Sequence, residues 1–308
     1  MKGKWLVAFV AILFAVLVGV YYILDPENKK LDESEREKLG GTYINLSDGV
    51  THYKLTGPVG GKVVVLVHGA TVPEWTWNNQ IKILNDAGFR VLSYDKYGRG
   101  YSDRPTVTYD QELYKRQLLE LVDKLELTQK FDLIGLSLGG ATAVNFTAQY
   151  PDRVRKLILI SPLINNFKVP TIFQIPVLGE FIARLIGTKI IVDRFTSLVK
   201  DNPDSEKYKM LFVEQTTYKG FQRSLLSMLR NDAVRDYTNA YQILGKQNRE
   251  ILLIWGTGDT EITREMIKDI RSFLPHLQFK PVEDVGHGIV FQKPEIINTL
   301  IIDFLKSQ

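Results

Sequence analysis

FDLIGLSLGGATAVNFTAQY, residues 131–150, decides how this chain is read. Its first six residues are an apolar run of strand length. The last dozen, with Ala141, Ala143 and Ala148 between the packing residues Val144 and Phe146, have the composition of a buried helix. Almost no room is left for the turn between them. Gly135, Ser137 and Gly139 fit G-x-S-x-G, in which a serine occupies a strained strand-to-helix bend and the flanking glycines relieve its crowding. The same residues also suit a glycine-rich turn whose serine merely caps the helix. The rest of the chain has to separate the two.

Outward from this stretch, the runs at residues 63–67, 89–94, 156–160 and 251–255 are likewise short, apolar and rich in β-branched residues. They do not alternate with polar ones, as expected of strands buried on both faces, and helix-length segments separate them. This predicts an α/β fold with a mostly parallel, doubly wound sheet flanked by helices, completed by a strand at 278–282 and a closing helix at 295–305. Ahead of it, YINLSDGVTHYKLTG from Thr42 reads as two antiparallel strands about an Asp48-Gly49 turn. The core is thus expected over 42–161 and 245–308. Between them, 162–244 breaks the pattern with apolar residues crowded around Pro170, Pro176 and Gly179, which reads as an inserted helical lid.

With 308 residues, 44% hydrophobic and 24% charged, a large core is expected. A net charge of +4 spread along the chain gives no basic patch for nucleic acid. The absence of cysteine excludes a thiol nucleophile, disulfides and thiolate metal sites. Residues 5–24, WLVAFVAILFAVLVGVYYIL, form an uncharged apolar run of spanning length behind Lys2 and Lys4. This predicts an N-terminal transmembrane anchor over 1–24 with its N-terminus in the cytoplasm and the catalytic body outside. The rival is a cleaved signal peptide and a secreted protein, although the Tyr-Tyr-Ile-Leu-Asp-Pro ending lacks the small residues of a cleavage site. Residues 25–41, DPENKKLDESEREKLGG, then read as a charged linker or solvated short helix.

Serine needs a base, normally an imidazole held by a carboxylate. Of the four histidines, His287 in DVGHGIVFQKP lies between two glycines after the last strand and suits a loop over a site. His68 ends a strand, where its backbone is expected to matter more than its ring. His52 sits in the first hairpin and His276 in a polar loop. The orienting acid should leave a strand end between serine and histidine. Asp259 in WGTGDTEI meets this, with Glu261 a rival, Asp284 too near His287, and an Asx turn the plainer use of Asp259. Backbone amides of Leu138 and Ala70 would receive an oxyanion. Trp75 and Trp77 read as packing residues.

These stretches together resemble the α/β-hydrolase fold superfamily, on His68-Gly69, YDKYGRGYSDRP at residues 94–105, GLSLGG, YPDRVRKLILISP, WGTGD and GHG, from about Thr42 onward. The resemblance implies a Ser137-Asp259-His287 triad. Serine at 137 argues against dehalogenases and epoxide hydrolases, which carry aspartate there, while Leu136 and Leu138 depart from commoner residues and leave the subfamily open. The expected function is a membrane-anchored serine hydrolase of carboxylic esters, with lipid or acylglycerol esters as small-molecule substrates and no cofactor or metal. Its alternatives are a C–C bond, lactone or amide on the same triad, perhydrolysis, or a catalytically silent binding module.

Overall fold

The computed structural model describes residues 4–5, 7–9, 11–12, 19, 23, 25–165 and 167–307. Eight strands form one sheet: β1 Thr42–Leu46, β2 Gly49–Thr56, β3 Val63–Val67, β4 Arg90–Tyr94, β5 Phe131–Leu136, β6 Val154–Ile160, β7 Ile251–Gly256 and β8 Gln278–Val282, in the order β1-β2-β4-β3-β5-β6-β7-β8. The first hairpin adds antiparallel to β4, and β3 through β8 run parallel.

The apolar runs lack alternation because both sheet faces are covered. Along β5 and β6, Leu133, Leu157 and Leu159 enter one core layer, while Ile134, Leu136, Ile158 and Ile160 enter the other. The helices Gln111–Lys124 and Leu138–Gln149 cover the first face, and Asn78–Asp86 and the closing helix Pro294–Lys306 cover the second.

The hairpin departs from expectation by one residue. Leu46 pairs with Gly49, so Ser47 and Asp48 form the turn and Gly49 already belongs to β2. The cause is distant in sequence: Asp103 packs against Gly49, which has φ 149°, and its carboxylate accepts the Val50 amide at 2.7 Å.

Between β6 and β7 lie the helices Thr171–Gln174, Leu178–Ile182, Thr188–Val199, Ser205–Thr216, Phe221–Arg230 and Thr238–Leu244. The last of these packs into the main core through Ala240, Tyr241 and Leu244, and Tyr241 donates to the Leu163 carbonyl. Aromatic contacts fasten this segment, with Trp75 of the loop after β3 stacked on Tyr208 and edge-on to Phe195, and Phe195 stacked on Phe212. Trp75 and Trp77 are buried packing residues.

The charged segment after residue 24 is docked as well as solvated. Its helix Glu33–Leu39 buries no residue, yet buried Glu27 accepts the Gly220 and Gln222 amides at 2.8 and 2.5 Å, at the start of lid helix Phe221–Arg230. Asp25 pairs with Arg184, and Arg36 with Asp103. Most of the run 5–24 lies outside the described residues. Among the described residues, no helix is long and apolar enough to cross a membrane.

Candidate active site

Strand β5 ends at Leu136 and the next helix begins at Leu138, so Ser137 alone makes the turn, at φ 54° and ψ −121°. A non-glycine residue held there costs about 1–3 kcal/mol, which the surroundings must over-determine. They do so through the backbone. The Ser137 amide donates to the Ile160 carbonyl at 3.0 Å, and its own carbonyl accepts from Gly140 and Leu163 at 2.9 and 3.1 Å. A Cβ on Gly135 would collide with the Gly139 carbonyl, and one on Gly139 with the carbonyls of Val67 and His68. Glycine is demanded here by close approach. The Ser137 side chain makes no capping hydrogen bond, so it is not a helix cap.

The loops after β7 and β8 are laced together, Thr257 donating to Val282 and Gly258 to Val285. This lacing brings Asp259 to His287, with Oδ2 2.8 Å from the ring Nδ1. The other oxygen of Asp259, Oδ1, accepts the amides of Glu261 and Ile262 at 2.9 Å each. One carboxylate thus makes its Asx turn and also holds the ring. Burial pulls His287 down, but the hydrogen bond and charge of Asp259, then the charge of Glu261, outweigh it and leave the ring above its ordinary pKa. Asp259 is pushed up by burial, and the His287 contact with the two amides brings it below the usual carboxylate range.

The second ring nitrogen, Nε2, lies 3.4 Å from Oε2 of Glu261, which is also gripped by Arg194 of the lid. Among the described residues Ser137 Oγ makes no hydrogen bond. Ser137 follows β5 and Asp259 follows β7, with β6 between them, and no hydrogen bond joins Ser137 to the His287-Asp259 pair in this conformation.

Ala70 follows Gly69, whose position lies against Ser137, with 3.5 Å from an ideal Gly69 Cβ to the serine Cβ. Among the described residues neither the Ala70 nor the Leu138 amide is used in a hydrogen bond. The Ala70 carbonyl is held by Nε of buried Arg99 at 2.6 Å, and the same guanidinium reaches Ser224 and Met228 of the lid. Sequence reasoning passed over Arg99, since nothing near it in the chain shows where its fork ends.

The model of the alpha/beta hydrolase family matches residues 64–299. The chain belongs to the alpha/beta hydrolase family. It is 28% identical over 86% of its length to the AB hydrolase superfamily protein YfhM of Bacillus subtilis, 98% of which is covered. It is 29% identical over 87% of its length to 2-hydroxy-6-oxononadienedioate/2-hydroxy-6-oxononatrienedioate hydrolase 1 of Pseudomonas putida, again 98% covered. A thermophilic esterase from Thermogutta terrifontis shares the fold, at a TM-score of 0.73 and 24% identity over 86% of this chain and 98% of that one.

For this alpha/beta hydrolase the other histidines find different places. His68 was expected to matter more for its backbone than for its ring, but the ring makes two hydrogen bonds. Its Nε2 accepts the Lys96 amide at 2.8 Å and its Nδ1 meets the Gly69 carbonyl at 2.9 Å, so the ring ties the end of β3 to the chain leaving β4. Burial, reinforced by Lys96, drives its pKa down to about 3, which keeps it neutral. His52 pairs with buried Asp95 at 2.8 Å. Among the described residues no group of three or more His, Asp or Glu is arranged to hold a metal ion.

Proposed function

We propose that the protein is a serine hydrolase of carboxylic esters working through Ser137, His287 and Asp259. The observation that carries this reading is the 2.8 Å Asp259-His287 hydrogen bond, with strained Ser137 at the end of β5 in the same parallel sheet as supporting ground. Ser137 Oγ attacks the ester carbonyl as His287 Nε2 takes its proton, and Asp259 stabilises the imidazolium. The amides of Ala70 and Leu138 receive the oxyanion. Collapse expels the alcohol with the proton from His287, leaving an acyl-enzyme. A water, deprotonated by the same ring, then releases the acid. A fluorophosphonate probe should label the wild-type chain and not Ser137→Ala, and p-nitrophenyl esters of increasing chain length should be turned over. No labelling and no turnover of any ester would sink the reading.

The Pseudomonas relative supports a second reading on the same residues, cleavage of a C–C bond beside a ketone. A 2-hydroxy-6-oxo-dienoate offered alongside the ester panel separates the two by relative kcat/KM.

We also propose that residues 5–24 anchor the chain in a membrane, with the catalytic body outside the cytoplasm and lipid or acylglycerol esters as substrates. Support comes from the uncharged run itself and from where it leads. Asp25 pairs with Arg184 of the lid, and Leu178, Ile186 and Ile190 in the same stretch of lid are exposed. Protease digestion of intact cells should remove the body; protection would place it inside.

A further inference from the structure

The serine reading uses one carboxylate on His287, yet two face the ring. Asp259 takes Nδ1. Glu261, two residues on, presents Oε2 to Nε2 at 3.4 Å, and it does not arrive there by its own loop alone. Arg194, on the lid helix Thr188–Val199, clasps Glu261 with both arms of its fork, Nε to Oε1 at 2.9 Å and Nη2 to the very oxygen that faces the ring. The backbone of Glu261 is pinned from the other side, because its amide donates to Asp259 Oδ1.

We propose, building on the serine-hydrolase reading, that Glu261 is a positioning residue for His287 and that Arg194 makes it a latch between the lid and the ring. A carboxylate at Nε2 is favourable only while that nitrogen carries a proton, and a ring protonated on both nitrogens cannot take the proton of Ser137. With the lid down, the latch therefore holds the base at rest. When a substrate entering beneath the lid draws Arg194 away, the partly exposed Glu261 side chain is free to swing out. Nε2 is then available to the serine. Asp259 keeps its hold on Nδ1 throughout, so the ring is released without being lost.

The charged groups facing the ring are Asp259 and Glu261 from the loop after β7 and Arg194 from the lid, and Arg194 by its own charge opposes ring protonation. That opposition gives the test its sign. If Arg194 acted only as a nearby cation, removing it would move the His287 midpoint up; if it holds Glu261 in place, removing it moves the midpoint down.

The experiment is a titration of the full-length chain labelled with ¹³C-histidine, in which only four ring signals appear and His287 is assigned by its loss in His287→Gln. The expected result is that Glu261→Gln lowers the His287 midpoint most, and that Arg194→Gln and the double variant lower it less, because each of these also removes the cation that opposes ring protonation. The acid limb of kcat/KM follows the same shift. At alkaline pH the variants keep rates far above the ~10²–10⁴-fold loss expected on removing a general base. An unmoved midpoint in Glu261→Gln overturns the proposal, and so does an upward or absent shift in Arg194→Gln. The titration needs no turnover. If the wild type fails to react with the fluorophosphonate probe, the ester reading falls while the latch is still answered.

Discussion

Two histidine-aspartate pairs of the same length sit toward opposite ends of the sheet, one on β2 and just past β4 and the other after β7 and β8. His52-Asp95 and His287-Asp259 both close at 2.8 Å from Nδ1 to Oδ2, and both aspartates also accept backbone amides, Glu74 and Tyr101 in one case, Glu261 and Ile262 in the other. Both rings lie above the ordinary histidine pKa, burial being outweighed by the partner carboxylate. The pairs differ at the far nitrogen. His52 turns Nε2 toward the backbone at Gly41, with the rings of Tyr43 and Tyr101 beside it, a dead end without a nucleophile. His287 turns Nε2 toward the partly exposed carboxylate of Glu261, which Arg194 holds. A histidine-aspartate contact is thus no signature of catalysis by itself. What lies beyond the ring decides its use.

The comparison breaks most visibly by exchanging the losses. His287→Ala should lower kcat/KM on a short p-nitrophenyl ester by about 10⁴-fold or more with its urea midpoint little changed, and Asp259→Asn should lower kcat by about 10⁴-fold. His52→Ala should do the reverse. It leaves Asp95 buried without its partner, a loss of about 3 kcal/mol read by urea unfolding, while the folded fraction keeps its turnover. A folded but inactive His52→Ala would erase the distinction.

A finer test is pH. The reacting ring must be neutral, so kcat/KM should fall as pH drops through a midpoint above the ordinary 6.5 of histidine, and Asp259→Asn should move that midpoint down. For His52, whose folded pKa is also raised, the sign concerns stability. Its contribution is complete below 6.5 and is lost as pH rises through the folded value.

The smallest effect belongs to His68. Below 6.5 the unfolded chain takes up a proton that the buried ring refuses until about 3, so stability should decline steadily across that window as pH falls. His68→Gln, which can still accept the Lys96 amide, should flatten this part of the pH–stability curve.

The sheet was legible because burial on both faces writes continuous apolar runs, and β3, β5 and β8 fall where those runs predict. The elbow was legible because close backbone approach can be met only by glycine at 135 and 139. What stayed hidden depends on partners distant in sequence. Asp103 shifts the hairpin turn by one residue, Arg99 reaches Ala70 across 29 positions, and Arg194 reaches Glu261 across 67. Glu261 itself was visible as a rival acid. Its seat at Nε2 was not, since the lid residue that puts it there carries no local mark. The charged stretch after residue 24 looked like a spacer for the same reason, because the amides that receive Glu27 belong to another part of the chain.

That docking has a mechanical consequence. Asp25 and Glu27 grip the segment between β6 and β7, and the first sheet residue, Thr42, comes only after the short Glu33–Leu39 helix. Tension applied upstream of Asp25 therefore reaches the lid before it reaches the sheet.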